Sequence, residues 1–244
     1  MLRSFLAWLT DRRRLGLRFD AHRRLLSHYC NFIYGLHIAP QIVSWQQTTR
    51  IDSRGNARET IIVRAKTLID DVHFLRLRFG PGWNQPWRYR RKVVVNVRSL
   101  SAEGIPGTRL ETTSSWLPDG RFELIAHFHS PPRAGSEILL SMDWDWPGKC
   151  IPLIHKDPDE FVFEFGKSVT YARQTVILPV EYDAYYEPIG FTHGQIGYSL
   201  ARSETAGGMV QFVFEAQLLP EDHRAGMRLE LKGRAPAASP QQFA

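Results

Sequence analysis

The spacing of apolar positions divides the chain in two. Over residues 1–40 they recur at helical spacing: Leu2, Phe5, Leu6 and Leu9 in one segment, then Leu25, Leu26, Tyr29, Phe32, Ile33 and Leu36 as a single stripe. Asp20 is placed to cap the second helix, and Gly35 with Pro40 ends it. From Gln41 onward the period changes to two. Strands are expected at about 41–51, 58–67, 73–79, 89–99, 108–116, 121–129, 136–146, 160–166, 171–180, 194–202, 209–218 and 226–232. Turn-forming residues separate most of them, among them Asp52 to Gly55, Gly80-Pro-Gly82, Pro118-Asp-Gly120, Gly207-Gly208 and Pro220 to Gly226. Residues 180–193 show no clear period and read as a long ordered loop.

Short strands joined by turns, with no helices between them, predict a mainly β protein. The expected architecture is an antiparallel β-sandwich, one large unit or two consecutive ones, behind an N-terminal helical arm. The divisions are 1–40 for the arm, 41–147 for a first β unit, 148–233 for a second unit or a continuation of the first, and 234–244 for a disordered tail rich in Pro, Ala and Gln.

Composition changes this picture little. Hydrophobic residues are 43% and charged residues 23%, as in folded globular proteins. No apolar run reaches the roughly 18 residues of a membrane-spanning helix. The opening MLRSFLAWLTDRRR places its charges after the apolar stretch, the reverse of a secretory signal. Two cysteines, Cys30 and Cys150, form no metal or disulfide framework, so a cytoplasmic location is expected, at most peripheral to a membrane. The net charge is +6, and residues 1–40 alone hold seven Arg against two Asp. The arm, with Arg12, Arg13 and Arg14 at its centre, is therefore a candidate docking element, for packing against the sandwich, for a partner or for a membrane surface.

Candidate chemistry falls in three groups. The first is a basic sheet face. If residues 87–98 form one strand, Trp87, Tyr89, Arg91, Val93, Val95 and Val97 face inward, with Arg91 breaking the apolar series at the rim beside Trp87, and Arg88, Arg90, Lys92 and Arg98 face outward. A neighbouring strand over 73–79 would bring Arg76 beside Arg90 and Arg78 beside Arg88. No acid occurs from Val72 through Ala102. Like charges opposed on a sheet repel, so solvent, an anion, or the seven acids between 137 and 164 must neutralise them. The second group is His127 and His129 with Asp143 and Asp145, a weak metal candidate. Pairing strands 121–129 and 136–146 as a hairpin sets Asp145 across from Arg121, well away from the histidines, and leaves Trp144 and Trp146 on the core face. The third group is aromatic: Trp83 and Trp87 flanking a loop, and Tyr182, Tyr185 and Tyr186, as contacts to a base, a sugar or a protein.

No phosphate loop, nucleophile elbow, H-E-x-x-H or C-x-x-C motif is present, and no motif implies a cofactor. The first reading is a non-catalytic β-sandwich that recognises a partner protein, a ligand or a second copy of itself. The competing reading is a binder of single-stranded nucleic acid or acidic membrane through the basic face. A third is a hydrolase whose site assembles only in the fold.

Overall fold

The computed structural model describes residues 40–192 and 194–232, together with Leu26 and Tyr29, both helical. The rest of the expected arm and the expected disordered tail lie outside the described residues. The described chain is mainly β. Its strands are β1 (Gln41–Ile51), β2 (Ala57–Lys66), β3 (Phe74–Phe79), β4 (Val94–Leu100), β5 (Pro106–Arg109), β6 (Glu111–Trp116), β7 (Phe122–His127), β8 (Glu137–Trp146), β9 (Asp159–Phe163), β10 (Val169–Ile177), β11 (Ala184–Ile189), β12 (Tyr198–Glu204), β13 (Val210–Leu219) and β14 (Ala225–Leu231). Two single-turn helices interrupt them, α1 (Trp87–Arg90) and α2 (Ile151–Ile154). No helix among the described residues is long and apolar enough to cross a membrane.

The strands form an eight-stranded sheet in the order β12-β13-β10-β1-β2-β8-β4-β5 and two three-stranded sheets, β11-β14-β9 and β3-β7-β6. All pairings are antiparallel except β1 with β10, which run parallel at the middle of the large sheet. The large sheet draws strands from both sides of the Pro147–Asp159 connection.

Alternation in the sequence dictates the layers. In β2 the side chains of Ala57, Glu59, Ile61, Val63 and Ala65 are buried, and those between them are exposed. In β8 Ile138, Leu140, Met142, Trp144 and Trp146 are buried. Both small sheets cover this inner face. Trp144 meets Phe79 of β3 at 4.5 Å and Phe122 of β7 at 5.4 Å between ring centroids, and Trp146 meets Trp116 of β6 at 5.9 Å. At the other end Phe212 of β13 meets Tyr186 of β11 at 5.2 Å. Tyr29 lies 5.2 Å from Phe74, so at least this residue of the arm region rests on the sandwich.

Four expectations are corrected. Residues 89–93 are not strand. Pro86 precedes a helical turn in which the N–H groups of Tyr89 and Arg90 donate to its carbonyl, and extended structure resumes only at Val94. Residues 122–127 and 137–146 do not form a hairpin. β7 pairs with β3 and β6, while β8 pairs with β2 and β4, so Asp145 stands opposite Arg58 and Val94 rather than Arg121. The connection between them crosses from one layer to the other. It is tied to the β2–β3 link where Thr67 N–H donates to Ser136 O and Ala134 N–H to Asp70. The strand expected over 108–116 divides at buried Leu110, whose N–H donates to Val97 O as the chain turns from the large sheet into a small one. Finally, the expected loop at 180–193 contains β11. This is an edge strand exposed at Tyr185, Tyr186 and Glu187 in succession, so no alternation marks it.

Candidate functional site

Position 59 has inward parity on β2, yet the residue is glutamate. A buried carboxylate must find partners, and Glu59, with no exposed surface, finds three at one oxygen. Its Oε1 accepts from Thr49 Oγ1 at 2.7 Å, Lys149 Nζ at 2.7 Å and Gln47 Nε2 at 3.1 Å. Gln174 Nε2 donates to Thr49 Oγ1, and Trp45 Nε1 to Gln47 Oε1. The network thus runs across β10, β1 and β2 on the inner face. Lys149 enters from the turn after β8, with Nζ 4.8 Å from the centroid of the Trp146 ring.

That turn is clasped from two sides. Trp83 Nε1 donates to Lys149 O and Gln85 Nε2 to Pro147 O, while Trp146 Nε1 donates to Gln85 Oε1. Gly148 N–H donates to Asn56 Oδ1, and Cys150 N–H to Gly55 O. Asp159 lies close by at the start of β9, and burial pushes its carboxyl up to about 6 although Lys149 opposes the shift. Burial, with Asp159 adding to it, likewise raises the Cys150 thiol well above its usual range, which keeps it unreactive. This polar chemistry is sealed from solvent. Its signal in the sequence was the parity of Glu59; nothing in the sequence points to Lys149 as its partner.

The basic residues separate into two sets. β3 pairs with β7, not β4, so Arg76 and Arg78 lie in a different sheet from Arg98 and are not stacked on Arg88 and Arg90. Both are held by Glu123 Oε1, Arg76 at 2.6 Å and Arg78 at 3.2 Å. Arg90 donates to Asn84 Oδ1 and lies 5.0 Å from the Trp116 ring centroid. The acids of β8 serve β2 instead: Glu137 pairs with Arg64 and Asp145 with Arg58, each at 3.3 Å. The second set is Arg88, Arg91, Lys92, Arg98 and Arg109. All five are exposed, and none has an ion-pair partner among the described residues. Arg98 and Arg109 are opposed directly across β4 and β5. Replacing Glu123 with Gln is expected to cost about 1 kcal/mol in chemical denaturation, because it strips the shared charge from two part-exposed guanidiniums.

The remaining candidates are dispersed. His127 shares a hydrogen bond with Thr113 at 2.9 Å, and His129 lies exposed past the end of β7. Asp143 and Asp145 are in the large sheet, facing Thr60 and Arg58, so the four residues are not brought together. Among the described residues no group of three or more His, Cys, Asp and Glu is placed to hold a metal. Trp83 is engaged in the clasp, whereas Trp87 is 66% exposed on α1. Tyr182 packs against the core. Tyr185 and Tyr186, with Glu187, Arg228 and Glu230, line a shallow open depression of about 200 Å³. Arg12, Arg13 and Arg14 lie outside the described residues.

No family model and no curated protein matches the chain. Solved structures do resemble it. A protein from Parabacteroides distasonis described as a candidate protease aligns with a TM-score of 0.50 at 9% identity, over 79% of this chain and 41% of that one. An M1 zinc metallopeptidase variant from Deinococcus radiodurans, bound to a Tyr-Ser-Ala substrate, aligns with a TM-score of 0.47 at 9% identity, over 79% of this chain and 42% of that one. The chain therefore spans about two fifths of the length of the structures it resembles. At this identity the likeness concerns the fold alone.

Proposed function

We propose that the chain is a non-catalytic recognition module that engages an anionic surface across an open face rather than in a cleft. The observation that supports this reading is the segregation of its polar chemistry. The residues that converge, Glu59 with Thr49 and Lys149, are enclosed in the core, while five exposed cations without ion pairs among the described residues, Arg88, Arg91, Lys92, Arg98 and Arg109, lie along the α1–β4–β5 rim with exposed Trp87. Surface cations without partners raise the on-rate for an acidic surface and fix its register. The arm with Arg12, Arg13 and Arg14 is the second docking element in this reading, and the setting is cytoplasmic.

The test uses immobilised poly-glutamate as a model acidic surface, read by biosensor over a salt series. The full chain is expected to bind with an affinity that falls as salt rises. The triple change Arg88→Glu, Arg91→Glu, Lys92→Glu is expected to weaken binding about tenfold or more. Binding indifferent to this change and to the corresponding reversal of Arg12, Arg13 and Arg14 removes the reading. The exposed indole of Trp87 among cations favours single-stranded nucleic acid as a second reading, since a base can stack there. An oligonucleotide of mixed sequence is the matching probe.

A further inference from the structure

We infer that the α1–β4–β5 rim is a docking surface for an anionic lipid bilayer. The inference rests on the recognition reading above and specifies what the rim recognises. Charge is its first warrant. Arg88, Arg91 and Lys92 follow one another around the α1 turn, and Arg98 and Arg109 continue the series along the edge of the large sheet. The nearby acids cancel them only in part. Asp145 is committed to Arg58 and Asp143 accepts from Thr60, so Glu103 in the β4–β5 turn and Glu111 beyond Arg109 stand as two uncommitted acids against five cations. The directly opposed Arg98 and Arg109 repel until a dense layer of negative charge lies against them.

The second warrant separates a bilayer from the other polyanions. Three large apolar side chains stand exposed along the same rim: Trp87 at 66%, Val94 at 51% and Ile105 at 63%. Valine and isoleucine offer nothing to a nucleobase, whose recognition uses aromatic faces, and an acidic peptide supplies no apolar layer to bury them. A lipid interface accepts all three, the indole at headgroup depth and the aliphatic chains just below, while the arginine and lysine heads remain among the phosphates. β4 is about 20 Å long at the usual strand rise, so the rim spans several headgroups.

The experiment is co-sedimentation of the full chain with vesicles of phosphatidylcholine containing about 30% phosphatidylserine, against phosphatidylcholine alone, near physiological salt. Binding to the anionic vesicles only is expected. The triple change Arg88→Glu, Arg91→Glu, Lys92→Glu is expected to lower it by about 100-fold, at roughly fivefold per cation. Trp87→Ala with Ile105→Ser is expected to lower it about tenfold with the salt dependence unchanged. All sites are on the surface, so circular dichroism melting curves that overlay the parent confirm that each variant is folded. Binding lost only on reversal of Arg12, Arg13 and Arg14, with the rim variants unaffected, overturns the inference. So does a chain that binds poly-glutamate or an oligonucleotide through the rim but ignores the vesicles; that result leaves the recognition reading standing. A chain that binds none of these probes overturns both.

Discussion

Replacing Lys149 with Met lowers the stability of the folded chain by about 3–5 kcal/mol, the cost of leaving a buried charge without its partner. The side chains of Glu59 and Lys149 are 0% and 11% exposed, so neither can recover by turning to water. Thr49 and Gln47 still donate to the carboxylate, but two neutral donors do not replace an ammonium in a low-dielectric core. A second change, Glu59→Gln, removes the stranded charge and returns more than half of the loss. Urea denaturation of the four members of this cycle measures the coupling directly. If Lys149→Met alone costs less than 1 kcal/mol, the ion pair does not organise this end of the sandwich.

The second large effect is on the pH dependence of stability, through Asp159. Burial raises its carboxyl from 3.8 to about 6 in the folded chain. The native state therefore keeps a proton that the unfolded chain releases between about pH 4 and pH 6. The resulting stabilisation is complete below pH 4 and is lost as pH rises through 6, about 3 kcal/mol in all for a shift of roughly two units. Asp159→Asn keeps an oxygen for the Glu160 N–H, cannot ionise, and flattens this part of the profile. Asp52 and Asp183 shift the other way. Burial pushes each up, but hydrogen bonds outweigh it, for Asp52 those of Asn56 with the side chain leading, for Asp183 those of Lys232 and Arg202, so both contributions are lost only as pH falls below 3.8. Comparing parent and Asp159→Asn from pH 4 to pH 8 isolates the one descending limb.

Legibility followed what alternation can encode. β8 was visible because every second residue is apolar, and β2 because all of its alternate residues but Glu59 are; the core positions from Ile138 to Trp146 follow from that alternation alone. Alternation assigns a face but not a neighbour. Pairing the segments around 121–129 and 136–146 used proximity in sequence, whereas the chain spends the intervening residues crossing between layers. In the opening of the 89–99 segment, Pro86 and the helix-compatible run after it outweighed the valines further on. The candidate site was legible in part. Arg98 lies exposed on β4, but Arg88 and Lys92 stand exposed on the helical turn and the turn after it, where strand parity does not apply, and the partner of Arg76 and Arg78 is Glu123, more than forty positions away. Glu59 was not among the expected sites, although its inward parity on β2 is the signal that marks it; Lys149, which resolves it, arrives through a turn whose course is set by Trp83, Gln85 and Asn56.

The parallel pairing of β1 with β10 has a consequence for synthesis. Ser44 bonds alongside Tyr171, and β1 lies between β2 and β10 at the centre of the large sheet. During translation β2 emerges at once, but the strand that closes the other edge of β1 appears more than a hundred residues later, roughly ten seconds at usual elongation rates. Throughout that interval the nascent chain carries an open, central sheet edge, the kind of surface that recruits strands from neighbouring chains. The demand for protection is therefore co-translational. Slowing elongation between β8 and β10 is a more damaging perturbation for this protein than slowing it anywhere after Ile177.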